Sequence, residues 1–429
     1  MRILLTGASG FIGQHVLAAL LADGHHVVCA VRRPESGASA HPRLTYIHAD
    51  FANDTEQSVW LARLSGVEAV INAVGIFRES GKQSFARLHT LAPCALFAAC
   101  AAAREVRMVI QLSALGADAG ADTPYHLSKK AADDCLAALP LRAWIVQPSL
   151  VYGPDGASAR VLTGLASMPL GVRLGRAPQL VQPVHIDDVV GAILGLLHGR
   201  LPLPPGATSM RVPLVGPEAL SFTDYLARLR AGMGMGRQAV LTLPDALARL
   251  LAKAGRWLPG ALLDEDALRM LERGNTGDPA LITRLLGRPP TPIAAFIGAP
   301  RAARTLAKLG WLLPLLRWSI VAVWIATAVV SFGLYPVEQS YALLARTGIP
   351  PAWQPLMLYG AASFDLLLGL GIALLPRRRP LWAAQLALIG FYTVVIAWKL
   401  PEFLFHPYGP LTKNLPLLAA IWLLYEMEE

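Results

Sequence analysis

Charge is scarce in this sequence: 16% of its 429 residues are Asp, Glu, Lys or Arg, against about a quarter in an ordinary soluble protein, while 54% are apolar. That balance excludes a disordered, highly solvated chain and places part of the molecule in lipid. Cysteine is also sparse. Cys29, Cys94, Cys100 and Cys135 form no CxxC pair and no metal-ligand spacing, so no disulfide framework and no metal site is read, and reduced, mostly buried thiols are expected. Zinc knuckles and arginine-rich tracts are missing. The excess of 38 Lys+Arg over 29 Asp+Glu has its densest cluster at Arg377, Arg378 and Arg379, between two apolar runs, as a membrane-topology signal would sit. No nucleic-acid partner is expected. The opening residues run as a strand into a glycine turn, so they are not read as a secretory signal, and the N-terminal domain is expected in the cytoplasm.

What is present falls into three parts. The first half alternates short aliphatic runs with helix-length Ala/Leu-rich stretches, the pattern of an α/β Rossmann domain, a doubly wound parallel sheet with crossover helices. Strands are expected at 2–5, 26–31, 44–48, 69–72, 108–112 and 143–147, and helices at 13–22, 93–103 and 123–139. From about 152 to 310 the pattern loosens into Pro/Gly-rich turns with helices at 222–231 and 243–258, read as a small substrate lobe. The division expected is 1–220 for nucleotide binding, with 150–182 contributing to the substrate side, 221–309 for the lobe and linker, and 310–429 for an all-α four-helix transmembrane domain. Residues 318–336 and 380–398 carry no charge and 347–376 carry one, Asp365; runs near twenty residues match the bilayer core. A fourth run, 415–425, needs 411–414 to reach across. Arg301, Arg304, Lys308 and Arg317 before the first span, and the arginine triplet between the second and third, predict a multi-pass protein of the cytoplasmic membrane with the N-terminal domain and C-terminus inside.

Thr6-Gly7-Ala8-Ser9-Gly10-Phe11-Ile12-Gly13 follows a strand and opens a helix. Backbone N–H groups at a helix N-terminus suit a pyrophosphate, and side chains at Gly7, Gly10 or Gly13 would obstruct the turn, the close approach and the helix packing. The turn, including Ser9, Phe11 and Ile12, is therefore assigned to a dinucleotide. The second strand ends at Arg32 and Arg33, where NAD-specific proteins place an acid; guanidinium groups suit a ribose 2′-phosphate, so NADP(H) is favoured over NAD(H). Asp50, after the third strand, is a candidate acceptor for the adenine amino group.

Tyr125 and Lys129 are four apart and share one helix face, and Ser113 ends the preceding strand. An ammonium next to a phenol favours the phenolate, so Tyr125 is read as the acid/base, Ser113 as a donor to the substrate oxygen, and Lys129 as both tuner of Tyr125 and holder of the nicotinamide ribose.

These residues resemble the short-chain dehydrogenase/reductase superfamily, whose motifs match Thr6-Gly7-x-x-Gly10-x-x-Gly13, Asn72-Ala73-Val74-Gly75, Ser113 and Tyr125-x-x-x-Lys129 in order. Gln147-Pro148-Ser149-Leu150-Val151-Tyr152-Gly153-Pro154 and Pro183-Val184-His185-Ile186-Asp187-Asp188-Val189 look like extended members. Gln111-Leu112-Ser113-Ala114-Leu115-Gly116-Ala117 is similar to the atypical subgroup that includes the NAD(P)H-binding accessory subunit of respiratory complex I. The resemblance covers roughly residues 1–300 and implies cofactor contacts at Ala73, Val74, Gly75 and Pro148. It departs at His89, which stands where many members carry an asparagine of the proton relay. Residues 312–429 look like the DoxX-like family through Tyr335-Pro336, Asp365-Leu366-Leu367-Leu368-Gly369 and the stretch from His406 to Pro416; Asp365 in a span is a functional candidate, with Lys413 or His406 as partner.

Three functions fit: a membrane-anchored NAD(P)(H)-dependent oxidoreductase acting on a carbonyl or alcohol, with a lipophilic small molecule as an attractive substrate; a non-catalytic cofactor-binding assembly subunit; and an NAD-dependent epimerase or dehydratase. The retained Ser113, Tyr125 and Lys129 favour the first.

Overall fold

Short β-branched and aliphatic runs have no polar face to leave in water, so they pair side by side and take helices on both faces. In chain order the elements are β1 (Arg2–Thr6), α1 (Phe11–Ala22), β2 (His26–Val31), β3 (Leu44–His48), α2 (Gln57–Leu61), β4 (Ala69–Asn72), a π-helical turn (Ala86–Leu91) running into α3 (Ala92–Ala102), β5 (Met108–Leu112), α4 (Pro124–Ala137) and β6 (Ala143–Pro148). Then follow β7 (Val151–Tyr152), α5 (Ala157–Ser167), β8 (Leu170–Leu174), β9 (Leu180–Val181), β10 (Val184–His185), α6 (Ile186–Leu197) and β11 (Ser209–Leu214). This computed structural model describes all residues except 34–40, 82, 176, 256–264 and 429. They fall into two units, Met1–Ala307 and Lys308–Glu429.

The main sheet has seven strands in the order β11-β6-β5-β4-β1-β2-β3, every pair parallel. Winding reverses between β1 and β4, so the crevice at their C-terminal ends is the place where a doubly wound sheet receives a ligand. Alternate side chains feed two cores. Ile3, Leu5, Ile71 and Ile110 pack with Val16 and Leu20 of α1, Ile193 of α6 and Leu285 further on, whereas Leu4, Val70, Val109 and Ile145 pack with Trp60 of α2, Phe97 of α3 and Leu136 of α4. The sequence pattern does not show β11. Its Arg211 and Pro213 break the apolar run, and an edge strand tolerates both because one side of its ladder is unpaired.

The lobe is built from β12 (Leu220–Ser221), α7 (Phe222–Gly232), β13 (Ala239–Leu243), α8 (Asp245–Gly255) and α9 (Glu265–Arg273), while α10 (Ala280–Leu286) returns to α6 and the sheet. Its core joins Tyr152, Leu162, Tyr225, Leu229 and Phe296. The helix expected at 243–258 is α8; residues 256–258 lie outside the described residues.

Five helices follow: α11 (Pro300–Val329), α12 (Val337–Arg346), α13 (Gln354–Leu374), α14 (Arg379–Lys399) and α15 (Asn414–Met427). Three are long and apolar enough to cross a membrane, and α15 is shorter, so the second unit is a helical, membrane-type domain. Trp324, Leu368, Trp382, Ile389 and Ile421 fill its centre, and large apolar side chains such as Leu367, Phe391 and Trp398 point outward, as lipid permits. The first span begins far upstream of the uncharged run because Arg301, Arg304 and Lys308 continue the same helix. Short α12, between the first two spans, has no counterpart in the hydropathy pattern.

Candidate functional site

Gly7 has φ 72°, a conformation that side chains rarely adopt, and its carbonyl accepts the Gly10 N–H at 2.9 Å to close the turn. A Cβ on Gly7 would lie 2.6 Å from the Ala73 carbonyl carbon, and one on Gly13 would strike the Gly7 carbonyl. Gly10 caps α1 without a side chain, which leaves the first-turn N–H groups of Phe11, Ile12 and Gly13 for an anion. The glycine cradle therefore fits the pyrophosphate of a dinucleotide. Beneath it a buried polar chain crosses three strands: Thr6 Oγ1 donates to Asn72 Oδ1 at 2.5 Å, and Asn72 Nδ2 donates to Gln111 Oε1 at 2.7 Å. That chain fixes the loop of Ala73, Val74 and Gly75. Phe11 wedges against Gly153 and Gly156, and Gln14 and His15 reach Asp155, which ties the cradle to the loop after Pro148.

Arg32 and Arg33 are exposed where β2 ends, and Ser9 is exposed in the turn. Asp50 is occupied locally: its Oδ1 accepts the Ala52 N–H at 3.1 Å and its Oδ2 the Asn53 side chain at 2.7 Å. An adenine amino group would compete with those bonds.

Thr123 caps α4 by accepting the His126 N–H, and Pro124 follows at the first helical position, so the helix begins one residue before Tyr125. Tyr125 and Lys129 lie on its inner face. The Lys129 ammonium donates to the Val74 carbonyl at 3.1 Å and the Leu112 carbonyl at 3.0 Å, joining α4 to the cradle loop and to β5. Burial brings it down to about 8. Tyr125 sits among the rings of Phe77, Phe85, His89 and His126, at centroid distances of 5.4, 6.1, 5.7 and 5.4 Å. Here the structure corrects the expectation that Lys129 depresses the phenol. Burial, with a smaller contribution from the Asp133 carboxylate, pushes Tyr125 up to about 12.

Ser113 is brought to the same helix but not to Tyr125: its hydroxyl donates to Asp133 Oδ2 at 2.5 Å, both residues being buried. Burial drives Asp133 up to about 7, while Ser113 and Lys129 pull it back. Asp133 escaped the sequence reading. The available signal was its place four residues beyond Lys129 on the buried face of α4. His89 is also fixed rather than mobile. Its Nε2 accepts the Ile76 N–H at 2.9 Å, which assigns the proton to Nδ1, 2.9 Å from Ser128 Oγ, and that hydroxyl in turn donates to the Tyr125 carbonyl. Burial, with the Lys129 ammonium nearby, holds the imidazole down to about 2, so at ordinary pH it is neutral, with its single proton on Nδ1.

Elsewhere Asp23 takes His198 Nε2 at 2.8 Å and His25 Nε2 at 3.0 Å at the far end of α1, a convergence that residue spacing does not reveal. In the second unit Asp365 is buried with Oδ1 unbonded, and neither Lys413 nor His406 bonds to it among the described residues. The cysteines are free thiols, Cys29 and Cys100 buried, Cys94 and Cys135 half-buried.

Residues 3–201 match the NAD dependent epimerase/dehydratase family and residues 321–422 the DoxX-like family. A "3-diazoavenalumate denitrifying reductase" of a Streptomyces species is 30% identical over 58% of this chain and 87% of its own length. A "Ceramide reductase" of Caulobacter vibrioides is 28% identical over 45% of this chain, which spans 59% of that relative's length. Among solved structures, a nucleoside-diphosphate-sugar epimerase from Staphylococcus aureus covers 70% of this chain and 100% of its own at TM-score 0.53 and 17% identity. A UDP-glucuronic acid 4-epimerase from Bacillus cereus, bound to UDP-glucuronic acid and NAD, covers 72% and 99% at TM-score 0.50 and 20% identity; both likenesses show the fold. With its glycine cradle, parallel sheet and membrane-type helices, the chain belongs to the NAD-dependent epimerase/dehydratase family, of the short-chain dehydrogenase/reductase type, and carries a DoxX-like domain at its C-terminal end.

Proposed function

We propose that this protein is a membrane-anchored NAD(P)(H)-dependent oxidoreductase that acts on a carbonyl or alcohol of a lipophilic small molecule. The observation that carries the reading is the placement of Lys129: its ammonium bridges the cradle loop and β5 one helical turn from Tyr125. When bound, the nicotinamide supplies or accepts hydride. Gly7, Ser9, Gly10, Phe11, Ile12 and Gly13 hold the pyrophosphate, and Ala73, Val74, Gly75 and Pro148 line its course. Lys129 holds the ribose, and Arg32 and Arg33 favour a 2′-phosphate and hence NADP(H). Tyr125 gives a proton to the substrate oxygen or takes it back. A phenol raised by burial stays protonated at ordinary pH, the form from which a proton can be given to a substrate oxygen in the reductive direction.

Support for a lipophilic substrate comes from Phe77, 58% exposed beside Tyr125, and from the likeness to a reductase named for ceramide. The DoxX-like unit serves as anchor, with the nucleotide-binding unit and C-terminus in the cytoplasm by the charge pattern. A second reading, a cofactor-retaining non-catalytic subunit, draws on the commitment of the Ser113 hydroxyl to Asp133.

The test uses detergent-purified protein. Bound nucleotide is identified by mass spectrometry, NADPH and NADH are titrated by fluorescence, and long-chain ketones, aldehydes and quinones are screened for NADPH oxidation. Substrate-dependent oxidation that Tyr125→Phe abolishes while NADPH still binds supports the oxidoreductase. A nucleotide that neither exchanges nor turns over favours the subunit.

A further inference from the structure

Asp133 is fully buried, Ser113 nearly so, and the bond between them, 2.5 Å, lies at the short end of the range for a hydroxyl and a carboxylate. Asp133 lies four residues beyond Lys129, so the two side chains leave α4 from adjacent turns on one face. They engage consecutive residues where β5 ends: Lys129 takes the Leu112 carbonyl and Asp133 the hydroxyl of Ser113, the residue after the strand. A carboxylate sealed from water needs a counter-charge, and a buried ammonium needs one equally. The groups acting on Asp133 are Lys129 and Tyr125 on its own helix, Ser113 just after β5, Gln147 on β6 and Arg211 on β11. Asp133 Oδ1 keeps no hydrogen bond among the described residues. Arg211 also pairs with Asp134 at 2.6 Å and lies at the sheet edge, which leaves Lys129 as the cation inside the cluster.

We propose that Asp133 is a positioning residue, whose buried carboxylate keeps Lys129 charged and seated against Val74 and Leu112, and that Ser113 serves Asp133 instead of donating to the substrate oxygen. The inference rests on the reading of Tyr125 and Lys129 given above. A hydroxyl that donates to Asp133 has no proton left for a substrate, so the Ser113 bond belongs to the support of the helix. Through Lys129 the carboxylate sets the charge that meets the nicotinamide ribose, and its own charge disfavours the phenolate of Tyr125.

The experiment measures NADPH affinity of the full-length, detergent-purified protein between pH 6 and 10 by fluorescence, for wild type, Ser113→Ala, Asp133→Asn and Asp133→Glu. Wild type weakens as Lys129 loses its proton. Asp133→Asn keeps an acceptor for Ser113 but removes the charge, and its inflection moves down by about one pH unit, so that NADPH binds about tenfold more weakly between the two inflections. Ser113→Ala raises the carboxylate and shifts the inflection less, in the same direction. Asp133→Glu restores the wild-type position. An unchanged inflection in folded Asp133→Asn overturns the proposal. Should that variant not fold, Ser113→Ala alone decides, since an unmoved inflection there overturns it as well. Once a substrate is in hand, a drop of a hundredfold or more in kcat for Ser113→Ala, with NADPH affinity intact, would return Ser113 to the substrate oxygen. Failure here is distinct from failure of the oxidoreductase reading, which Tyr125→Phe tests through turnover and not through NADPH affinity.

Discussion

The ammonium of Lys129 occupies space that Gly75 leaves open: a Cβ at residue 75 would lie 3.1 Å from Nζ and 3.7 Å from Nε2 of His89. Glycine is needed there because the loop after β4 passes directly over the ammonium, with no backbone strain involved. Gly75→Ala is expected to displace Lys129 and lower turnover at least tenfold, at a stability cost of about 1–3 kcal/mol for overpacking. NADPH affinity and kcat, set beside the thermal midpoint, separate a displaced ammonium from a damaged fold.

At Gly7 the obstacle is backbone. Gly7→Ala must place a Cβ 2.6 Å from the Ala73 carbonyl in a left-handed conformation, and neither neighbour can swing aside. A loss of NADPH affinity of about a hundredfold or more is expected, with a lowered thermal midpoint. Near wild-type NADPH binding by this variant would remove the turn from pyrophosphate recognition.

Arg32 and Arg33 are exposed at the end of β2, where the proposed function has them favour a 2′-phosphate. Arg32→Glu combined with Arg33→Ala is expected to lower the NADPH to NADH affinity ratio by about tenfold or more, since paired charge-assisted bonds to a phosphate are lost. Fluorescence titration of both nucleotides checks this, and an unaltered ratio would release the two arginines from that role.

Acid acts on buried groups with both signs, His89 and Asp133 among them. His89, ordinarily near 6.5, is held down to about 2, so across that window the unfolded chain binds a proton that the folded one does not. Stability then falls as pH drops below 6.5, by about 1.4 kcal/mol per unit. Asp133 is raised from 3.8 to about 7, so the folded state binds the extra proton between those values and gains stability as pH falls through about 7. His89→Gln should therefore lessen the loss of stability that acid causes between pH 8 and pH 5, read from thermal unfolding across that range, with His25 and His126, also lowered by burial, still acting in the sense His89 did.

Four of the six strands expected from the sequence, β1, β4, β5 and β6, could be read because they are short, apolar and buried on both faces, which no helix of that length imitates. The edge strand β11 could not, because arginine and proline at an edge resemble a loop. The glycine turn and the Tyr125–Lys129 spacing are local patterns and were open to reading. The partnership of Ser113 with Asp133 joins a strand to a helix across 20 residues, and which way a hydroxyl faces depends on packing that spacing does not encode. The same holds for His89, whose position suggested a relay and whose two nitrogens are both taken.

The π turn at Ala86–Leu91 makes chain length itself a constraint near Tyr125. A π turn holds one residue more than ordinary winding, and such turns recur at functional sites. Deleting one residue of 86–91 other than His89 would let the segment relax into a regular α-helix with sounder hydrogen bonds, yet it would turn His89 by roughly 100° relative to the chain beyond the deletion and carry its imidazole off the Ile76 amide. A chain shortened here by one residue would keep its helix content and lose the register between that helix and α4, so at this point in the fold the number of residues matters as much as their identity.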